Sequence, residues 1–328
     1  MKKLLISIFI FSFTITARAH PGIGIVKDSR GNIFYTDLKQ VWKISSEEGK
    51  IVAVPQVHSH ELFIDAEDNL YGEHLWYNGE KLDTWGHYVW CLHPNGKLDT
   101  VMGPAAGFLE NYSFVRDVAG NMYWAERFKI SKIKKKTTEG KIQTIAEGKF
   151  KDIRWMYATA NGIVYFIDLT DLYKIEPGRP ATMIAEGINS STSLFGPITS
   201  SRHDLMGIWT DKEENIYVAN FGGQVVKKIG VDGTVTKIAF STAPWSPTGG
   251  VFDAQGNLWL LEYSTTNEAR VRKIPVDEIG NQNSTALMQF KNNILPPVLL
   301  IGFLIFSVML IVIGARVARK KAKMVSGE

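Results

Sequence analysis

Acidic, amide and imidazole side chains recur in this chain at equivalent points of one repeated pattern. Asp37, His74, Glu126, Asp168, Asn220 and Glu262 stand at or near the ends of apolar, aromatic runs, and His58, His60, Glu110, Asn111, Asp152, Arg154, His203 and Asp204 stand just ahead of others. Oxygen-rich sets of this kind suit Ca²⁺ and Mg²⁺, which take carboxylate and carbonyl ligands, and imidazole admits Zn²⁺ or Mn²⁺. The expectation is one divalent cation (Ca²⁺, Mg²⁺, Mn²⁺ or Zn²⁺) held by Glu126, Asp204 and Glu262, with Asp37, Asp168 and Asn220 as further ligands. His58, His60, His74, Glu110, Asn111, Asp152, Arg154 and His203 would line a ligand-binding mouth around it. A single acid at a strand end is ordinarily a solvated rim residue, so the expectation rests on the set. No residue stands out as catalytic: there is no Gly-x-Ser-x-Gly elbow, and Cys91, the one cysteine, sits in an apolar run where a thiol is inert.

The elements that must gather these residues follow from a phrase repeated six times. Asp253-Ala-Gln-Gly-Asn-Leu-Trp-Leu-Leu-Glu262 reads as a turn, in which Asp and Asn bond nearby backbone and Gly256 takes a positive φ, followed by a buried strand. Other copies begin at Asp28, Asp65, Asp117 and Asp211, and a worn one begins at Thr159. The steps of roughly 40 to 53 residues match four-stranded propeller blades. A short apolar segment precedes each turn, as in Leu62-Phe-Ile64 and Phe114-Val115; an alternating segment such as Val271-Arg-Lys-Ile274 follows, and several copies add a Gly turn and a further strand. The predicted fold is all-β, a six-bladed β-propeller of four-stranded blades over residues 20–293, with Thr285 to Phe290 as the outer strand of the last blade. In such a ring the ends of the second strands and the approaches to the first strands meet at one mouth, which is where the polar residues above fall.

Two stretches break the period. One, between Glu73 and Tyr88, is rich in aromatics (Trp76, Tyr77, Trp85), and the other runs from Ile188 to His203. Insertions in repeat folds fall in loops, often on the binding face. The aromatics suit stacking on a sugar or another flat ligand, and equally suit covering the propeller's own loops.

The chain ends have a different character. Lys2 and Lys3, the apolar run Leu4 to Phe13 and Ala17-Arg-Ala19 predict a signal peptide over residues 1–19. Ile294 to Ala315 carries no charge and is long enough to cross a bilayer as one transmembrane helix. The basic tail 316–328, with Arg316, Arg319, Lys320, Lys321 and Lys323, would then be cytoplasmic, leaving the propeller outside, in the periplasm or at the cell surface. The formal charge of +4 comes from these ends: of 37 basic and 33 acidic residues, the folded part keeps 29 and 32. That balance disfavours a nucleic-acid partner. With one cysteine there is no intramolecular disulfide, so packing must hold the ring.

The repeated Gly-Asn-Ile/Leu-Tyr/Trp phrase resembles NHL-type six-bladed propellers and, within that superfamily, the gluconolactonase and regucalcin group; it also looks like the repeat of virginiamycin B lyase, whose propeller has seven blades. The gluconolactonase resemblance implies one divalent metal bound by Glu, Asn and Asp near the starts of inner strands, with a carboxylate base. Asp204, and Asn111 or Glu110, fall where that pattern wants ligands, whereas the first blade offers Pro21 and Gly22 and the group's Ser-Asn-Gly phrase is missing. The lyase resemblance implies a His and Glu acid-base pair with Mg²⁺, met by His60 or His203 with Glu262. Together these readings predict a membrane-anchored, extracytoplasmic propeller that binds a small molecule or a protein at its mouth. The alternative is a metal-dependent hydrolase or lyase.

Overall fold

The computed structural model describes residues 21–109, 113–127, 129–189 and 204–281, with the backbone alone of 192–193 and 196–197. The predicted signal peptide, transmembrane helix, basic tail and outer strand at Thr285 to Phe290 lie outside the described residues. Among the described residues, no helix is long and apolar enough to cross a membrane.

Each repeat folds into an antiparallel sheet whose strands follow one another in sequence order. Blade one is β1 (Ile25–Lys27), β2 (Ile33–Thr36), β3 (Val41–Ser45) and β4 (Gly49–Val54). Blade two is β5 (Leu62–Ile64), β6 (Leu70–Tyr77), β7 (Trp85–Leu92) and β8 (Leu98–Ala106). Blade three contributes β9 (Met122–Glu126), β10 (Ser131–Lys136) and β11 (Ile142–Gly148), and blade four β12 (Ile153–Ala158), β13 (Val164–Asp168), β14 (Asp171–Ile175) and β15 (Thr182–Ala185). A small hairpin, β16 (Thr192–Ser193) with β17 (Gly196–Pro197), lies in the second insertion. Blade five is β18 (Leu205–Thr210), β19 (Ile216–Asn220), β20 (Val225–Ile229) and β21 (Val235–Phe240), and blade six has β22 (Trp245–Phe252), β23 (Leu258–Ser264) and β24 (Ala269–Ile274). In blades one, two, four, five and six the first strand faces the axis: β1 touches β5 and β22, β12 touches β18, and β18 touches β22. The chain is a six-bladed propeller, with four strands in some blades and three in others among the described residues.

The repeated phrase earns its place as a hydrogen-bonded knot. In blade one, Asp28 Oδ1 accepts the Asn32 backbone N–H at 2.7 Å, and Asp28 Oδ2 accepts the Asn32 side-chain amide at 2.6 Å. The same pair of bonds forms at Asp65, Asp117, Asp211 and Asp253. The aromatic two residues past the Asn completes the knot, since Tyr71, Tyr123, Tyr217 and Trp259 each donate to their Asp at 2.7–3.0 Å. Gly31 and Gly256 hold φ at +86° and +83°, and the knot is firm enough to force Asp68 and Glu214 to +62° and +61° at the equivalent point. In blade four Thr159 replaces the Asp, its hydroxyl accepting the Ile163 N–H.

Blades are joined by apolar layers of alternating residues. Phe34, Val41, Val54 and Val57 of blade one meet Leu62, Leu70 and Trp90 of blade two. Tyr123 and Ile133 of blade three meet Ile153 and Phe166 of blade four, and similar layers join blades four to five and five to six. The ring closes where Ile25, Ile33, Tyr35 and Leu38 pack on Leu261 and Tyr263, whose hydroxyl donates to the Thr36 carbonyl at 2.8 Å.

Two expectations are corrected. Phe114-Val115 forms no inner strand; in blade three that strand shrinks to one bridge between Arg116 and Met122, plus the Tyr123 N–H to Val115 carbonyl bond. The aromatic insertion of blade two is a continuation of β6 and β7 rather than a loop, paired in register from Leu70↔Leu92 to Tyr77↔Trp85. Its alternation supplies the reason: Trp90 lies across from Gly72 and Trp76 across from Gly86, each ring covering the space a Cβ would need.

Candidate ligand-binding mouth

The antiparallel order puts the Asp-Asn knots at one end of the ring and the ends of the second strands at the other. Most of the acids expected to hold a cation there have partners within the chain. Glu262 is fully buried, with Arg270 Nε at 2.7 Å and Arg272 at 3.1 Å, and it accepts the Ser241 hydroxyl at 2.5 Å. Asp168, 2% exposed, accepts the backbone N–H groups of Lys151 and Asp152, closing the start of β12. Asp37 accepts the N–H groups of Lys39 and Gln40 and the Trp42 indole N–H, which fixes the β2–β3 turn. Buried Asn220 accepts from Gly223 N–H and donates to the Asn189 carbonyl. Glu126 lies 3.8 Å from Lys134, and Asp204 accepts from the Asn189 amide at 3.4 Å. Asp152 pairs with Arg154 at 2.8 Å. Glu110, Asn111 and His203 lie outside the described residues.

Among the described residues, no three His, Cys, Asp or Glu side chains form a metal's ligand set. Within this ring of acids, the Glu262, Asp168 and Asp37 oxygens already accept hydrogen bonds from the chain, and at Glu262 two guanidinium groups supply the positive charge; Glu110 and Asn111, which the resemblance also calls for, lie outside the described residues.

The histidines do come together. His58 and His60 sit on the connector from β4 to β5, and their Nε2 atoms are 3.4 Å apart. His60 Nδ1 faces Glu73 Oε1 at 3.3 Å, and His74 Nδ1 accepts the His58 N–H at 3.1 Å. Neighbouring strands clamp the connector. His60's carbonyl accepts the N–H groups of Ile23 and Gly24, His58's carbonyl accepts that of Leu75, Ser59's carbonyl accepts the Thr36 hydroxyl, and Ser59's own hydroxyl donates to the Glu73 carbonyl. From Glu61 the axial channel runs along the inner strands toward the knot end of the ring, a cavity of about 830 Å³ whose wall includes Glu61, Phe63, Phe114, Met156 and Trp209 and reaches the turns at Glu67 and Gly120.

Glu61 was not visible as a site residue in the sequence, and neither was Glu73, a carboxylate inside the alternation of β6. A charged residue at a position that the strand period assigns to the interior is the signal that marks Glu73. Burial, reinforced by the Glu73 charge and opposed by His60 and Arg127, pushes the Glu61 carboxyl up to about 7. Burial holds the His58 and His74 imidazoles below their ordinary value. A carboxyl whose folded pKa exceeds its unfolded one keeps its proton longer in the native state. Its stability contribution is therefore intact at acid pH and is lost as pH rises from about 4.5 through about 7. Glu61→Gln is accordingly expected to stabilise the fold by about 1–3 kcal/mol at pH 8, the channel's residual solvent tempering the gain, and by nothing near pH 4. Urea titrations at the two pH values in chelator-treated buffer check this, and an equal effect at both would contradict it.

Past the histidines, the extended hairpin raises aromatic rings in series. On one face His74 lies 5.0 Å from Tyr88 and stacks on Trp76 at 5.8 Å; on the other Tyr77 meets Trp85 at 5.0 Å and Trp85 stacks on Phe108 at 5.3 Å. Tyr77 and Phe108 are 42% and 56% exposed. No protein-family model matches the sequence, and no curated protein matches it. Solved structures do. An auxiliary nutrient binding protein from Bacteroides ovatus matches with a TM-score of 0.53 at 9% identity, over 78% of this chain and 69% of that one. A gluconolactonase from Xanthomonas campestris matches at 0.51 and 10%, over 79% and 87%. Virginiamycin B lyase from Staphylococcus aureus matches at 0.45 and 12%, over 78% and 84%. The likeness is one of fold. It bears out the resemblance read from the repeat, and a fold of this kind hosts binding proteins and enzymes alike.

Proposed function

We propose that the chain is a membrane-anchored, extracytoplasmic binding propeller that recognises a carbohydrate on the blade-two quadrant of its mouth. The observation that carries this reading is the Tyr77, Trp85 and Phe108 series, with Tyr77 and Phe108 exposed on either side of a half-buried Trp85, raised above the ring beside a clamped set of imidazoles and carboxylates. Aromatic rings offer flat apolar area at small conformational cost and take the C–H face of a sugar, while His58 and His60 present ring nitrogens to its hydroxyls. A glycan array probed with the full chain is expected to yield hits that Trp85→Ala weakens by about tenfold or more, as loss of a central aromatic anchor does. Spheroplasts displaying the chain should bind the same glycan without permeabilisation. An array without hits, or hits indifferent to Trp85, would refute the recognition surface; binding only after permeabilisation would refute the outward placement.

A second reading, a hydrolase or lyase at the same mouth, draws on the His60–Glu73 pair, because a carboxylate-oriented imidazole moves protons well. It is supported by the gluconolactonase among the fold neighbours. Turnover of a lactone panel that disappears in His60→Gln would favour it over simple binding.

A further inference from the structure

We propose that His58 and His60 form a two-imidazole site for a transition-metal cation, Zn²⁺ or Cu²⁺, on the wall of the mouth, with Glu73 as the residue that orients His60. The site differs in place and in donors from the ring of acids and stands on the imidazole geometry alone, independent of any sugar.

Zinc–imidazole bonds of about 2.0–2.1 Å at a tetrahedral angle put two ligand nitrogens about 3.3–3.4 Å apart. The two Nε2 atoms are 3.4 Å apart, and their rings meet at 62° with centroids 4.7 Å apart, edge toward edge rather than stacked. A direct N–H···N bond would favour about 2.9–3.0 Å, so the spacing suits a shared cation better than a shared proton.

A metal-bound histidine ordinarily gives its other ring N–H to a carboxylate, which fixes the tautomer and leaves the ligating nitrogen bare. His60 has that partner, with Nδ1 at 3.3 Å from Glu73 Oε1 while Nε2 points toward His58. Glu73 is itself held in a buried strand position, and its carbonyl is fixed by Ser59 and by the Trp90 indole N–H.

The connector is preorganised. The backbone carbonyls of His58, Ser59 and His60 all accept hydrogen bonds from neighbouring strands, so binding would not have to order the connector. The His60 side chain retains 21% of its exposure, which leaves the remaining coordination positions to water or to a donor atom of a bound molecule. Imidazole nitrogen suits Zn²⁺ and Cu²⁺, and the affinity order for divalent ions places Cu²⁺ highest.

The test is calorimetric titration of the full chain, free of any affinity tag, with ZnCl₂, and electron paramagnetic resonance after addition of one equivalent of Cu²⁺. One ion per chain is expected, with hyperfine structure from two imidazole nitrogens. His58→Ala or His60→Ala should remove one nitrogen and weaken binding at least tenfold (~), by analogy with a lost ligand-shell contact, and Glu73→Gln should keep both nitrogens while weakening binding about 10–100-fold. His93→Ala, at the opposite end of blade two, should change nothing. His58→Gln serves if the alanine variant melts early. Absence of a one-to-one complex, or a two-nitrogen signal that survives both His58 variants, would overturn the site. Neither result bears on glycan binding, so the two readings fail separately.

Discussion

Trp90→Ala is expected to lower the stability of the propeller by about 3–5 kcal/mol, the usual cost of deleting a large ring from a close-packed interior. Trp90 is 1% exposed and does three things at once. Its ring fills the space over Gly72, it belongs to the layer joining blades one and two, and its indole N–H donates to the Glu73 carbonyl at 3.0 Å. The alanine variant would leave a cavity along one blade boundary and free the strand that carries Glu73. Chemical denaturation should report the loss, and Cu²⁺ affinity should fall with it, since the imidazole pair depends on that strand. Gly72→Val approaches the same ring from the other side, where an added Cβ would meet Trp90 within 2.2 Å, and is expected to perturb the same boundary. A loss below about 1 kcal/mol in Trp90→Ala would mean that the layer re-forms without its ring.

Glu262→Ala comes next, with an expected loss of about 2–4 kcal/mol, because removing one member of a buried ion pair strands the other. The carboxylate is fully buried while Arg270 and Arg272 keep 38% and 29% of their side-chain exposure, so partial rehydration of the guanidinium groups holds the loss below the extreme. Glu262→Gln retains the hydrogen-bonding shape but not the charge and should fall between wild type and alanine. If both variants melt as the wild type does, the cluster contributes nothing to folding.

Glu262 also shows why the site was harder to read than the fold. The Asp-Asn phrase announces its own structure, because the residues that bond are within six positions of one another; its five Asp copies form the same knot, and Thr159 closes the turn in the sixth. The acid at the end of a second strand is equally regular, but its meaning depends on residues reached through pairing. Arg270 is the cross-strand partner of Glu262, and Arg272 stands two residues farther on. The alternating period therefore reported that an acid was there, while its partners lay across the sheet. Asp168 and Asp37 recur at this position because backbone N–H groups at turns and strand starts need acceptors. His58 and His60 were legible as mouth residues, whereas their convergence on Glu73 required the register of β6, which an insertion disguised. The inner strand of blade three misled in the opposite direction. Phe114-Val115 has the composition of its counterparts, but neighbouring packing rather than composition decides whether so short a segment pairs.

The Asp-Asn knots and the mouth lie at opposite ends of every blade, and this divides mutational risk. A substitution in a knot strikes a turn, a side-chain network and a strand start together, so selection would remove most of them whatever the protein binds. Hairpin tips and connectors at the far end can exchange side chains, lengthen as blade two has done, or trade one ligand for another, while the knots keep the ring folded during the change.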